Sequence, residues 1–313
     1  MVTKSFKTLD EQIDILKNKR LDIGDVDYTK NVLLRENYFF LNGYRHLFMD
    51  PSNTKLFLEG TRFEELYALF LFDRTLRNIM FKYILVIENN LKSIMSYVLS
   101  KKYGYKEKEY LKAKNFSPDP DKQKQISDLL NKMKRQIRVN GSQHSATLHY
   151  SSNYGYIPLW ILVKVLSFGI VSELYTILQK DDQKEVSEIY KISVNNLNDY
   201  LPLLANYRNL CAHEDILFEN KTQKAISDTI IHEKLNINKI DDEYIYGKND
   251  LFALVIILKQ MLSKDDFKKM INELESATDN LNYHITTIKI EKVLNRMGFP
   301  LNWKEIANIE RSF

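Results

Sequence analysis

Apolar residues recur at helical spacing along most of this chain, and where the period fails the residues are those of turns. Leu9, Ile13 and Leu16 predict a short amphipathic helix over residues 8–19, with Thr8 as its N-cap. Tyr38, Phe39, Phe40, Tyr44 and Phe48 crowd a second helical or turn-rich segment over 32–48, which Met49-Asp50-Pro51-Ser52-Asn53 breaks. Phe63 to Leu99 holds neither glycine nor proline, so the longest helix is expected there. Residues 101–121, with two prolines, read as a connector, 125–139 as a helix and 140–156 as a loop rich in Ser, Gly and Asn. Segments 159–179 and 183–190 read as helical. A further helix is expected over about 201–213, with Pro202 tolerable in its first turn. The polar stretch 219–248 has room for a small hairpin, and helices over 251–262, 264–274 and 288–297 close the chain. No internal repeat is found. The expected fold is mainly all-α. Its expected parts are an N-terminal helical or turn segment (1–60), a helical core (61–218) with a basic insert (101–156), and a C-terminal helical extension (219–313).

The long helix carries charges inside its apolar stripe. With Leu66 set to zero, Phe70, Met80, Ile84, Leu91 and Met95 fall within about 40° of one line. Asp73, Arg77 and Glu88 fall at about 340°, about 20° and about 40°, on the same face. Desolvation makes such charges costly unless paired. The spacing suits an Asp73–Arg77 pair, with Glu88 satisfied from another helix.

The 201–213 helix repeats the pattern. Taking Leu201 as zero, Arg208 at about 340° shares the apolar side with Leu204 and Cys211, and Asp73 and Glu88 are its natural partners. Asn209 and His213 fall together on a flank, at about 80° and about 120°. Such groups can do chemistry on a phosphodiester, with His as general acid or base and Arg as a clamp on phosphate charge. They also suit a structural helix end, with a capping histidine and a buried Arg208–Glu88 pair. That structural reading predicts a loss of about 3–5 kcal/mol when Arg208 is removed.

Composition narrows the classes. At 313 residues, 27% charged and 44% hydrophobic, the chain is ordinary for a globular protein. Nine Gly and six Pro favour long helices. A single cysteine leaves no intramolecular disulfide and no Cys-based metal cluster. The most apolar stretch, 157–171, is 15 residues long and contains Lys164, so it reads as a buried helix rather than a membrane span. Met1 to Lys7 lacks the apolar core of a signal peptide, and a cytoplasmic location is expected. Net charge is only +4, but residues 101–138 hold 12 Lys/Arg against 5 Asp/Glu. Tyr103, Tyr105, Tyr110 and Phe116 are interleaved there, a mixture that suits RNA. Lys101, Lys102, Lys132, Lys134, Arg135 and Arg138 are the candidate RNA-binding residues; a solvated lysine-rich face is the alternative.

Several segments together resemble the abortive-infection (AbiD/AbiF-like) phage-resistance family. They are residues 8–19, Asn37 to Tyr44, Phe57 to Leu66, Phe72-Asp73-Arg74-Thr75-Leu76-Arg77, Ile87 to Lys92, Pro158 to Val163, Leu166 to Gly169 and Tyr207 to His213. The family looks like a branch of the HEPN superfamily, in which an R-x(4–6)-H motif ends a helix of an α-helical bundle. The resemblance implies a HEPN-like bundle and an endoribonuclease that needs no metal or other cofactor. Arg208 would hold the scissile phosphate, Asn209 orient it and His213 transfer a proton, while the RNA's own 2′-hydroxyl attacks. Asp73, Arg74, Arg77 and Glu88 form a supporting polar cluster.

One such motif is half of a composite site, so the resemblance implies a homodimer with RNA as substrate or regulatory ligand. A second match to the spacing, Arg138 to His144, runs into the Gly141-Ser142 loop and is read as chance. Glu214 and Asp215 depart from the family pattern, since many members carry a further histidine or a basic residue there, and two acids repel a phosphate. The alternative is a non-catalytic RNA-binding or RNA-sensing helical module of a defence or toxin–antitoxin system.

Overall fold

The structure, a computed structural model, describes residues 5–140 and 142–310. Met1 to Lys4, part of the segment read for a signal peptide, and Gly141, in the Arg138–His144 loop, lie outside the described residues.

Thr8 caps α1 (Leu9–Asn18) as expected, and Glu11 closes the reciprocal capping box by accepting from the Thr8 N–H at 2.8 Å. Next come α2 (Val26–Glu36), α3 (Tyr38–Asn42) and a 3-10 turn at Gly43–Phe48. The break expected at 49–53 is a hairpin: β1 (Met49–Asp50) pairs antiparallel with β2 (Asn53–Phe57). Pro51 sits at the second turn position and the Asp50 carboxylate accepts from the Ser52 N–H at 2.9 Å. Then α4 (Phe63–Tyr103) runs 41 residues, about 60 Å, until Gly104 at φ +91° ends it. Short α5 (Glu107–Tyr110) leads through 3-10 turns to α6 (Gln123–Asn140).

Three sequence expectations change here. The loop expected at 140–156 contains α7 (Ser145–Tyr154), which buries Thr147 and stops at Gly155 in the left-handed region. The helical segment 159–179 is two helices, α8 (Leu159–Val165) and α9 (Phe168–Thr176), because the Ser167 side chain restarts the helix by accepting from the Ile170 N–H. After α10 (Lys180–Tyr190), α11 (Val194–Ala212) starts well before residue 201, capped by Ser193. Pro202 is therefore interior. It removes one ladder bond, but buried Leu197, Tyr200, Leu203 and Leu204 hold the helix on both sides of it.

The polar stretch contains α12 (Ile230–Lys234) and the small hairpin of β3 (Lys239–Ile240) and β4 (Glu243–Tyr244). The chain closes with α13 (Leu251–Met261), α14 (Lys264–His284, ten residues beyond the expected end), α15 (Ile290–Met297) and a 3-10 turn at Trp303–Asn308. The fold is mainly all-α, as its spacing predicts.

Helix α4 is the axis. α8, α10, α11, α13 and α14 pack against it, and α9 packs on α11. Leu251 to Leu258 are all fully buried, so α13 is apolar all round because it is surrounded. Burial pushes the Glu65 carboxyl up, but four hydrogen bonds from the backbone N–H and hydroxyl groups of Thr286 and Thr287 outweigh it and hold it below the usual range. That contact ties the α14–α15 connection to the start of α4. No helix of the described residues is long and apolar enough to cross a membrane.

Candidate functional site

The last two turns of α11 divide their side chains by direction. Tyr207 and Cys211 point into the core, Arg208 lies at its edge with 30% of its side chain exposed, and Asn209 and His213 are exposed. The helical wheel anticipated this division, although it put Arg208 deeper than it lies. Burial, helped by the nearby Asp73 charge, pushes the Cys211 thiol up to about 12, so it stays protonated and is no nucleophile. His213 caps the helix with its backbone, donating to the Asn209 carbonyl at 3.0 Å, and its imidazole lies at the surface. Glu214 then takes φ +58° and the Asp215 N–H returns to the Leu210 carbonyl at 3.2 Å, the long bond of a Schellman ending. A non-glycine in that left-handed region costs about 1–2 kcal/mol, so something must hold the turn.

Asp73 holds it. Its buried carboxylate accepts from the N–H groups of Leu217 (3.0 Å) and Phe218 (2.7 Å), from the Tyr44 hydroxyl (2.7 Å) and from Arg77 (2.6 Å). Arg77 also donates to the Asp215 carbonyl at 3.3 Å. Burial pushes the Asp73 carboxyl up, against the pull of the guanidinium and of the two backbone donors. With four donors converging and none accepting, the group serves as a carboxylate. The expected Asp73–Arg77 pair exists, and its work is to fasten residues 215–218 onto α4. Gly43 gives room beside it, since a Cβ there would stand 2.7 Å from the end of Ile216. Tyr44, which stacks on Phe218, stands out in the sequence only as one of a cluster of rings and not as a site residue; its signal was its place in the Asn42-Gly43-Tyr44 segment.

Glu88 serves the motif directly. Its Oε2 lies 3.5 Å from Arg208 Nε without hydrogen-bond geometry, while Lys92 binds Oε1 at 2.7 Å. Lys92 was also missed, though its spacing of four from Glu88 announced the pair. The Arg208 guanidinium lies over the Phe81 ring, 5.6 Å from its centre. Arg74 belongs elsewhere in the cluster. It forms a two-pronged pair with Glu36 and covers the Phe70 ring, and its pKa is raised, chiefly by the Glu36 hydrogen bond.

The basic segment does not form one unpaired surface. Lys101 pairs with Glu185, Lys102 with Asp182 and Lys132 with Glu173. Lys134, Arg135 and Arg138 are exposed on α6, with no ion pair among the described residues. Of the interleaved rings, Tyr110 and Phe116 are buried and Tyr103 donates to Asp182, which leaves Tyr105 exposed. Arg138 falls in the last turn of α6 and His144 caps α7, so the second spacing match spans a helix break.

No curated protein and no solved structure matches the chain. A sequence model of the Abi-like protein family matches residues 31–219, a span that begins before Tyr44, contains Asp73, Arg77 and Glu88, and ends just after the turn they fasten. The match covers more than half of the 313 residues, and the chain belongs to the Abi-like protein family.

Proposed function

We propose that this chain is an endoribonuclease of an abortive-infection system that defends against phage, acting without metal as a homodimer. The two copies of Arg208, Asn209 and His213 would form one composite site of the HEPN type. The observation that carries the reading is the end of α11. An exposed imidazole and carboxamide stand together beside an arginine, on a turn fastened from behind by buried Asp73 and Arg77. Membership of the Abi-like family supports phage defence as the setting.

The reaction requires no group beyond these. The RNA 2′-oxygen attacks the adjacent phosphorus and the bond to the 5′-oxygen breaks, leaving a 2′,3′-cyclic phosphate and a 5′-hydroxyl. One His213 takes the 2′-hydroxyl proton and the second copy's imidazole protonates the departing 5′-oxygen. Arg208, ion-paired with Glu88, meets the charge on the non-bridging oxygens, and the Asn209 amide orients them. Purified protein is expected to cleave RNA in EDTA to cyclic-phosphate ends. His213→Ala is expected to lower the rate by roughly 10²–10⁴-fold with the fold intact, because His213 is exposed. Undiminished cleavage by the folded variant refutes the assignment.

The exposed acids Glu214 and Asp215 favour a second reading, an RNA-binding module without catalysis. It expects salt-dependent binding and no product.

A further inference from the structure

Five aromatic rings and an imidazole form a connected ladder on the outside of α7 and α8. Tyr105 lies 6.3 Å from Trp160 and 5.5 Å from Tyr156, centre to centre. From Tyr156 the ladder passes to Tyr154 at 6.2 Å, then to Tyr150 at 5.3 Å and to His149 at 5.6 Å. Trp160, Tyr105 and Tyr154 are 42%, 43% and 56% exposed. Rings of this size are normally covered, and a contiguous exposed set marks a place where something binds.

The surroundings say what. Between Asp128 and Glu173 the chain has no Asp or Glu and holds Lys134, Arg135, Arg138 and Lys164 beside Lys132, which Glu173 pairs. Arg135 and Arg138 share a shallow concavity with Asp121, Asp128 and Glu173. α7 packs against both α6, which carries the unpaired basic residues, and α8, which carries Trp160 and Lys164 one turn apart. Lys106 Nζ lies 5.4 Å from the Tyr156 ring centre and 5.8 Å from that of Tyr105. The nearby acids are occupied, Glu107 by the Ile157 N–H and Glu109 by the Lys106 N–H. Rings that offer faces, beside unpaired cations, match a polyanion that carries flat groups of its own. A duplex keeps its base faces stacked internally, so unpaired nucleotides fit best.

We propose that the Tyr105–Trp160–Tyr156–Tyr154 ladder is a stacking platform for unpaired nucleotides of RNA, with α6 supplying the phosphate contacts. It rests on the RNA reading above and uses residues outside the α11 site.

The test uses the full chain and a single-stranded, 2′-O-methylated oligoribonucleotide of about twelve nucleotides, which offers no 2′-hydroxyl for cleavage. Trp160 reports on stacking, because the other tryptophan, Trp303, is 1% exposed. Binding is expected to quench Trp160 fluorescence. Trp160→Ala and Tyr154→Ala should each weaken binding roughly tenfold. Trp160→Phe keeps a ring, should bind within about twofold of wild type, and serves if an alanine variant fails to fold. Wild-type affinity in both folded alanine variants, or equal affinity for an abasic strand of the same length, overturns the platform and leaves the RNA reading standing. Alanine variants that change subunit association and not RNA affinity overturn it too. A wild-type protein that binds and cleaves no RNA overturns the RNA reading itself.

Discussion

Replacing Asp73 by alanine tests the link between the buried cluster and the motif. The substitution removes the shared acceptor of four donors in a site without solvent access. Arg77, itself 3% exposed, is left without its carboxylate, and breaking a buried pair from one side costs about 3–5 kcal/mol. The orphaned Leu217 and Phe218 N–H groups add about 1–3 kcal/mol each if nothing replaces the acceptor, though such terms overlap and water entering the gap recovers part. A net loss of about 4 kcal/mol is expected, a large part of a typical domain's stability. Urea denaturation reads it as a lower midpoint at unchanged slope. Hydrogen exchange should show the Leu217 and Phe218 amides losing protection first. The control is Asp73→Leu with Arg77→Met, which removes both charges and should lose less than the two single changes summed, because no buried charge is stranded. A loss below about 1 kcal/mol for Asp73→Ala, or full additivity in the double variant, refutes the reasoning.

Two other substitutions test the electrostatics. Arg208→Ala should cost only about 1 kcal/mol, not the roughly 3–5 of a buried pair, since Arg208 is 30% exposed and Glu88 keeps Lys92; denaturation that shows about 3 kcal/mol or more returns Arg208 to a structural role. Asp250, buried at the N-cap of α13, has its carboxyl pushed up to about 6 from its ordinary 3.8 by desolvation. Its contribution to stability is therefore fully present below pH 3.8 and lost as pH rises through about 6, worth about 3 kcal/mol over that window. Asp250→Asn keeps the cap and should flatten that part of the stability profile; parallel profiles for the two proteins would contradict the assignment.

Periodicity decided the helices and which edge of the motif faces water. The residues that define α11 need only about 3.6 residues per turn to separate Cys211 from His213, so the exposure of that edge is legible in the sequence. Local chemistry also announced the Thr8 cap and the Asp73–Arg77 pair. It failed where tertiary packing outvoted local signals. Pro202 looked like a helix start because its missing N–H is free only there, yet buried side chains on both sides carry the helix through it. The Ser- and Asn-rich stretch over 145–154 looked like a loop, yet forms α7 against α6 and α8.

The site's support lay beyond any local pattern. Asp73 meets Leu217 and Phe218 at a separation of about 144 residues, and Tyr44 arrives from a third segment. The same holds for the aromatic ladder, whose Tyr105 comes from the start of the basic insert and Trp160 from α8, just beyond its end. By itself the sequence determined which groups could do chemistry and which way each faces on its own helix, because those follow from residue type and backbone repeat. Only the tertiary structure decided what each charge is paired with and what fixes the turn after His213. Partners brought together by packing leave no period in the chain.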